Sequence, residues 1–154
     1  MNSEQEKARL LQLHRAALQA HLDKDVGAWL APLASQWYDV RATGIRLLTK
    51  EEELPAFDEY LRRTHFADIR EITPPIIHLS TDASMAWMIV EIRVQATQEV
   101  AHEEERDHSC RATWVAIYEK HEGEWAQVVE APFFQFQTTD EESGSEENRQ
   151  AVES

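Results

Sequence analysis

Apolar residues recur every three or four positions at the start of the chain, which is the period of an amphipathic helix. The pattern predicts a helix from about Glu4 to Leu22. Ser3 and Glu6 have the spacing of a capping box, in which two side chains satisfy backbone groups at a helix start. His14 lies on the apolar side of this helix, where it could pack in the core or reach a ligand.

Two further helices are predicted before the middle of the chain. Asp25 can cap a short helix that contains Trp29. Thr49 and Glu52 form a second capping box, and apolar residues at helical spacing follow as far as Arg63. Pro55 lacks an amide proton and crowds the preceding turn, so a kink or restart is expected there.

Alternation with a period of two, typical of strands, occupies most of the remaining chain. One strand begins near Ser35 and turns at Gly44. After Phe66 the chain predicts strands to its end, at residues 67–72, 76–79, 85–96, 112–119 and 125–136. Three helices followed by four or five mostly antiparallel strands indicate an α+β domain.

The last two strands form a hairpin that turns at Glu122 and Gly123, and its register decides which residues share a face. A turn centred on Glu122 puts Trp114 opposite Glu130, with small residues around them that leave room for a ligand. Partial burial there would raise the pKa of Glu130, which suits acid or base chemistry. A two-residue turn shifts the register by one and breaks the arrangement, and the sequence leaves both open.

Charge divides the chain into a domain and a tail. The formal net charge is −14, of which residues 138–154 carry −5 and residues 98–109 carry −4. We therefore predict a domain over residues 1–137 and an acidic, flexible tail over residues 138–154. An acidic chain without a basic stripe repels phosphate backbones and anionic lipids, which argues against nucleic-acid and membrane partners.

No pattern predicts a cofactor or a metal site. His102, Glu103 and His108 belong to an acidic loop without the spacing of a helical zinc motif, and clustered glycines that could cradle phosphate are absent. A single cysteine, Cys110, and an N-terminus without an apolar signal core favour the cytoplasm.

Four segments resemble the nuclear transport factor 2-like superfamily, in particular its SnoaL-like and ketosteroid-isomerase-like branch. They are LDKDVGAWLAPLASQWYDV (22–40), the G-x-x-x-x-T-K-E-E pattern (44–52), STDASMAWMIVEIRV (80–94) and WVAIYEKHEGEWAQVVEA (114–131). The resemblance implies a cone-shaped half-barrel, closed by the first helices over a curved sheet, and a homodimer formed through that sheet. Members use the pocket as isomerases, dehydratases, cyclases or binding modules, so the fold does not select a reaction.

The best-known enzyme of this group matches only in part. Ketosteroid isomerases place a general-base aspartate three residues before a glycine on the first strand, and here that position is Arg41. Arginine cannot accept a proton at neutral pH, so Asp39 would have to take that role. The first helix also has His14 and His21 where the resemblance implies a tyrosine.

The candidate site combines residues of the first helix, the first strand and the last hairpin. Trp37, Asp39 and Arg41 point to one side of their strand, either as an ion pair beside an aromatic ring or as a pocket base with an anion clamp. The candidate acids and bases are Asp39, Glu130 and His14. The candidate ligand contacts are Trp37, Arg41, Trp114 and Tyr118.

Three functions are compatible with these patterns. The first is a homodimeric protein whose pocket binds a small, mostly apolar molecule with a carbonyl or carboxylate. The second is a dehydratase, cyclase or isomerase that acts by proton transfer. The third is an association module that uses only its exposed sheet.

Overall fold

A computed structural model describes residues 2–101 and 104–137 of the chain. The predicted tail and the pair His102 and Glu103 lie outside the described residues. The elements, in chain order, are α1 (Ser3–Asp23), α2 (Val26–Leu30), β1 (Leu33–Arg41), β2 (Gly44–Thr49), α3 (Lys50–Arg63), β3 (Thr64–Leu79), β4 (Met85–Val100), β5 (Glu104–Asp107), β6 (Cys110–His121) and β7 (Glu124–Phe136). No helix in these two stretches is long and apolar enough to cross a membrane.

Helix α1 begins one residue earlier than its sequence pattern predicts. Its capping box joins Asn2 and Gln5, with the Gln5 amide donating to Asn2 Oδ1 at 2.8 Å and the Asn2 amide donating to Gln5 Oε1 at 3.1 Å. The predicted box of Ser3 and Glu6 is therefore wrong, because asparagine caps a helix as well as serine does. Glu6 takes no part in the capping box and contacts the last hairpin instead.

The contact of Glu6 fastens α1 to the last hairpin. Its side chain is 1% exposed, accepts a hydrogen bond of 2.8 Å from Trp125 Nε1 and forms an ion pair with Lys120. The Lys120 ammonium also lies 5.6 Å from the centre of the Trp125 ring. Hydrogen bonds from Lys120 and Trp125 hold the pKa of Glu6 below its usual value despite burial.

The other two helices begin where the sequence predicts. Asp25 accepts a hydrogen bond of 3.1 Å from the Ala28 amide, and Thr49 Oγ1 accepts one of 3.2 Å from the Glu52 amide. Helix α3 passes through Pro55 as one element, so the expected restart does not occur.

Within the described residues, the strands form one seven-stranded sheet in the order β2-β1-β7-β6-β4-β3, with β5 paired to β4. Every pairing is antiparallel except that of β1 with β7. Two predicted strands, 67–72 and 76–79, are parts of β3, whose register shifts between Thr73 and Ile76 at the two prolines. Strands β2 and β5 were not predicted. The sheet is nevertheless the mostly antiparallel one expected.

The sheet has two faces with different roles. Its inner face packs against α1 and α3, and the core there includes Leu10, Leu61, Met88 and Val90, each at most 1% exposed. Its outer face leaves large apolar side chains in solvent. These are Tyr38, Val40, Ile45, Leu47, Ile76, Trp87, Ile89, Val115 and Phe133, which we call the outer apolar face.

The last hairpin combines a two-residue turn with a bulge, and each of them shifts the pairing of β6 with β7 by one residue. Its turn has two residues, Glu122 and Gly123, both with positive φ, so its register begins one residue away from the arrangement that aligns Trp114 with Glu130. A bulge then leaves Val128 unpaired, because Tyr118 pairs with Gln127 and Ile117 with Val129. Trp114 therefore faces Pro132, not Glu130, while Glu130 faces Ala116. The second shift returns Glu130 to the inner face.

Candidate functional site

A cavity of about 400 Å³ lies between the helices and the inner face of the sheet. Five predicted site residues line it, one from α1, one from β1 and three from the last hairpin: His14, Arg41, Trp114, Tyr118 and Glu130. Most of the remaining wall is aliphatic or aromatic, and this volume suits a small organic molecule.

The ladder between β6 and β7 sets the long direction of the cavity. Cys110 pairs with Phe136 at one end, Trp114 pairs with Pro132 in the middle, and Tyr118 pairs with Gln127 at the other end. We call the part formed by Tyr118, Gln127 and Glu130 the Glu130 end. The part formed by His21, Tyr60 and His108 is the Tyr60 end.

Glu130 is a partly buried carboxyl group at the cavity wall. Gln127 Nε2 donates to its Oε1 at 3.1 Å, and Asp39 stands beside it in the parallel ladder of β1 and β7. Burial raises the pKa of Glu130 and the negative charge of Asp39 raises it further, while Arg41 and Gln127 oppose them. A carboxyl group in these surroundings is held towards its protonated form, which can donate a hydrogen bond.

Tyr118 adds a second hydroxyl group to this end of the cavity. Its side chain is 3% exposed, and burial raises its pKa, with a further rise from the nearby Glu130 carboxyl. The phenol therefore keeps its proton. The Glu130 end thus offers the Tyr118 O–H as a donor, joined by the Glu130 O–H when that carboxyl group is protonated.

Asp39 and Arg41 form the ion pair that their strand spacing allows. Arg41 Nε donates to Asp39 Oδ2 at 3.0 Å, and the Arg41 guanidinium lies 5.5 Å from the centre of the Phe134 ring. Asp39 is 3% exposed and does not line the cavity. Trp37 also stands behind the wall, 2% exposed, with its ring 6.4 Å from that of Phe57. Of this strand trio, Arg41 is the residue that reaches the cavity.

His14 lies near the middle of the cavity with an unsatisfied nitrogen. Its side chain is 3% exposed, and its ring centre is 5.9 Å from that of Trp114. Nε2 lies 3.5 Å from Glu71 Oε2 without a hydrogen bond, while Arg15 donates to the two Glu71 oxygens at 3.0 and 2.9 Å. Burial lowers the pKa of His14, and the Glu71 charge offsets only part of this effect.

The Tyr60 end contains polar groups that the sequence patterns did not indicate as a site. The Tyr60 hydroxyl and His108 Nε2 are 2.7 Å apart in a hydrogen bond. His21 Nδ1 is 2.8 Å from the Ala17 carbonyl oxygen, and its ring packs on Trp29 at 4.2 Å between centres. Burial lowers the pKa of His21 to about 4 and also lowers that of His108. The one available signal was the helical spacing of Phe57 and Tyr60 in α3.

Two further groups bear on the chemistry of the cavity. Cys110 lines the wall, and burial raises the pKa of its thiol to about 11, so it is protonated at neutral pH. In the part of the chain that the structure describes, no three His, Cys, Asp or Glu side chains are grouped closely enough to hold a metal ion.

Comparison with sequences gives no relative, whereas comparison with solved structures gives many. No family model matches the chain, and no curated protein matches it. A conserved protein from Planctomyces limnophilus is similar at a TM-score of 0.70 and 13% identity, covering 87% of this chain and 99% of its own.

Two other solved structures have informative names. A nuclear transport factor 2 (NTF2-like) superfamily protein from Salmonella enterica has a TM-score of 0.66 and 13% identity, over 92% of this chain and 99% of its own. A ketosteroid isomerase-like protein from Erwinia carotovora has a TM-score of 0.59 and 15% identity, over 79% and 89%. At such low identity these similarities establish a shared fold, and the function has to be inferred from the residues of the site.

Proposed function

The chain has the nuclear transport factor 2-like fold, and from this premise we propose that its cavity binds a small, mostly apolar molecule with a carbonyl or carboxylate group. The observation that carries the proposal is Glu130, a partly buried carboxyl group with a raised pKa on the wall of a 400 Å³, mostly apolar cavity. Gln127 already donates to one Glu130 oxygen, and a bound carbonyl oxygen supplies an acceptor for the Glu130 O–H when the carboxyl group is protonated.

The charges around Glu130 favour a carbonyl over a carboxylate. Arg41 is held by Asp39 at 3.0 Å, so the two charges compensate each other. A ligand carboxylate would add a negative charge beside Asp39 and Glu130, where Arg41 and Arg46 are already paired with Asp39 at 3.0 and 4.0 Å, whereas a neutral carbonyl accepts hydrogen bonds from Glu130 and Tyr118 without adding charge. The expected ligand is therefore a neutral ketone, aldehyde, ester or amide with an apolar body.

Native mass spectrometry of the protein purified from its own source tests this proposal directly. We expect a mass excess that corresponds to one retained small molecule per chain. Titration of the emptied protein with 4-acetylbiphenyl, followed by tryptophan fluorescence, provides a second readout because Trp29 and Trp114 line the cavity. A protein that retains nothing and leaves its fluorescence unchanged with this ketone would contradict the proposal.

A second candidate function is catalysis by proton transfer next to the bound carbonyl. It is favoured by His14, whose buried Nε2 lacks a hydrogen-bonding partner and stands on the same cavity as Glu130. The neutral imidazole can take a proton from the carbon beside the carbonyl while Glu130 and Tyr118 donate hydrogen bonds to the enolate oxygen. Asp39 is a weaker candidate base because it lies behind the wall.

Deuterium uptake tests this second function without knowledge of the substrate. We expect the protein in D₂O to speed the exchange of the methyl protons of 4-acetylbiphenyl, measured by proton NMR. His14→Phe should abolish the acceleration while retaining binding of the ketone. Uptake at the same rate in wild type, in His14→Phe and in buffer would leave a binding protein without this activity.

We propose that the outer apolar face joins two copies of the chain. The face carries nine large apolar side chains, and Phe133 is the most exposed of its aromatic residues at 63%. A patch of this kind usually marks an interface. We also expect the dimer in the cytoplasm, since the one cysteine of the chain is a free thiol.

Light scattering after size exclusion measures the oligomeric state. Phe133→Lys should shift the protein from dimer to monomer, whereas Leu54→Lys, at an exposed apolar residue of α3, should not. A monomeric wild-type protein that captures an unlike partner through Phe133 would instead support the association module.

A further inference from the structure

His21 presents a hydrogen-bond acceptor to the cavity. A carbonyl oxygen can only accept, so His21 Nδ1 must carry the proton that it shares with Ala17 at 2.8 Å. With its pKa near 4, the imidazole is neutral at physiological pH, which leaves the lone pair of Nε2 available. The ring lines the cavity between Trp29 and Phe66, at 4.2 and 5.3 Å between ring centres.

The Tyr60 hydroxyl is a second acceptor at the same end. It lies 2.7 Å from His108 Nε2, and the phenol is the better donor of this pair while the neutral imidazole is the better acceptor. Once Tyr60 has donated its proton to His108, the lone pairs of its oxygen are the hydrogen-bonding capacity that remains. Both residues line the cavity.

The acceptors at the Tyr60 end and the donors at the Glu130 end are far apart. Cys110 and Ala116, the β6 partners of Phe136 and Glu130, are six residues apart, or about 20 Å along a straight strand. His14 and His21 are seven residues apart on α1, which gives about 10 Å along the helix axis. The wall between them is largely aromatic and aliphatic.

We infer that the cavity binds an elongated, uncharged molecule in a single orientation, with a carbonyl oxygen at the Glu130 end and a hydroxyl or N–H group at the Tyr60 end. This inference rests on the proposed binding function and adds a second recognition point to it. A ligand with the opposite arrangement would bring donor to donor and acceptor to acceptor, and each end would lose its hydrogen bond.

Four compounds on one frame separate the two recognition points. They are biphenyl, 4-acetylbiphenyl, 4-hydroxybiphenyl and 4-acetyl-4′-hydroxybiphenyl, and the same four substitution patterns on p-terphenyl extend the reach. Dissociation constants come from tryptophan fluorescence. On at least one frame, adding the hydroxyl group to the ketone should tighten binding about fivefold, the usual effect of one net hydrogen bond.

Three variants locate the effect. Tyr60→Phe should reduce the gain from the hydroxyl group, because His21 alone remains as an acceptor, while leaving the affinity for the ketone alone unchanged. His108→Phe should also reduce the gain, because the Tyr60 hydroxyl then loses its acceptor and competes as a donor. Tyr38→Phe, which removes a phenol from the outer apolar face, serves as the control and should retain the full gain.

The outcomes separate this inference from the binding function on which it rests. If the ketones bind but the hydroxyl group brings no gain on either frame, the second recognition point is refuted and the binding function stands. The same conclusion follows if Tyr60→Phe weakens all compounds equally while its thermal unfolding matches wild type. If none of the compounds binds, the binding function fails and this inference fails with it.

Discussion

Replacing Ala112 with leucine tests whether the cavity is open space in the folded protein. Ala112 is 1% exposed and lines the cavity, so a longer side chain at this position extends into it. Ala116 lies four residues further along β6, is 0% exposed and does not line the cavity. The two alanines therefore differ in whether space is available beside them.

The expected magnitude follows from the three carbon atoms that leucine adds. Each buried methylene contributes about 0.8 kcal/mol, so the gross gain is about 2.4 kcal/mol. Fixing the leucine rotamer costs about 0.5–1 kcal/mol, which leaves Ala112→Leu more stable than wild type by about 1.5–2 kcal/mol. Ala116→Leu enters packed surroundings and should lose about 1–3 kcal/mol.

Urea unfolding followed by circular dichroism measures both changes. With a slope of about 2 kcal/mol per molar urea, Ala112→Leu should raise the midpoint by about 0.8 M, and Ala116→Leu should lower it. The same Ala112→Leu protein should bind 4-acetylbiphenyl more weakly, because the added side chain occupies ligand space. If Ala112→Leu is destabilised as much as Ala116→Leu, the cavity is filled in solution and the reasoning is refuted.

Two other predictions concern the carboxyl groups of Glu130 and Glu6. Because the pKa of Glu130 is raised in the folded protein, the stabilisation that this group contributes is fully present below pH 4.5 and is lost as the pH rises towards the folded-state pKa. The melting temperature of the wild-type protein should therefore fall above pH 4.5, and Glu130→Gln should make this fall less steep. The exposed Glu124→Gln should leave that fall unchanged, and a parallel curve for Glu130→Gln would contradict the pKa argument. Lys120→Met should lower the free energy of unfolding, measured with urea, by about 2 kcal/mol, because it leaves the buried Glu6 carboxylate without its cation. Glu6→Gln should cost only about 1 kcal/mol because its amide oxygen still accepts from Trp125 and Lys120 can turn to water; equal costs would show that the remaining charge is not the cause.

The helices and the faces of the long strands were predictable because their signals are local. Periodicity identified the apolar side of α1, and Asp25 and Thr49 marked two helix starts correctly. Strand β5, with all four residues exposed, has no alternation to detect. The start of α1 was misplaced by one residue because Asn2 and Ser3 are both good caps, and the choice depended on the contact of Glu6 with the hairpin.

The candidate site was only partly predictable because it depends on contacts between distant segments. Glu130 reaches the cavity because of a bulge in β7 that local patterns do not show. Trp37 has the right strand parity for the inner face, but the packing of Phe57 in front of it separates it from the cavity. Tyr60 and His108 are 48 positions apart in the chain, so their hydrogen bond becomes visible only in the fold.

The bulge at Val128 also determines which changes in chain length this domain can tolerate. Loss of Val128 would join Gln127 to Val129, whose partners Tyr118 and Ile117 are already adjacent, so the pairing of β6 with β7 would persist as a regular ladder. Loss of one residue between Glu130 and Phe136 would instead turn Phe136 outward. Deletion of Val128 should therefore preserve the cavity, whereas deletion of one residue between Glu130 and Phe136 should damage it. Val128 is thus a position at which the length of this hairpin can vary.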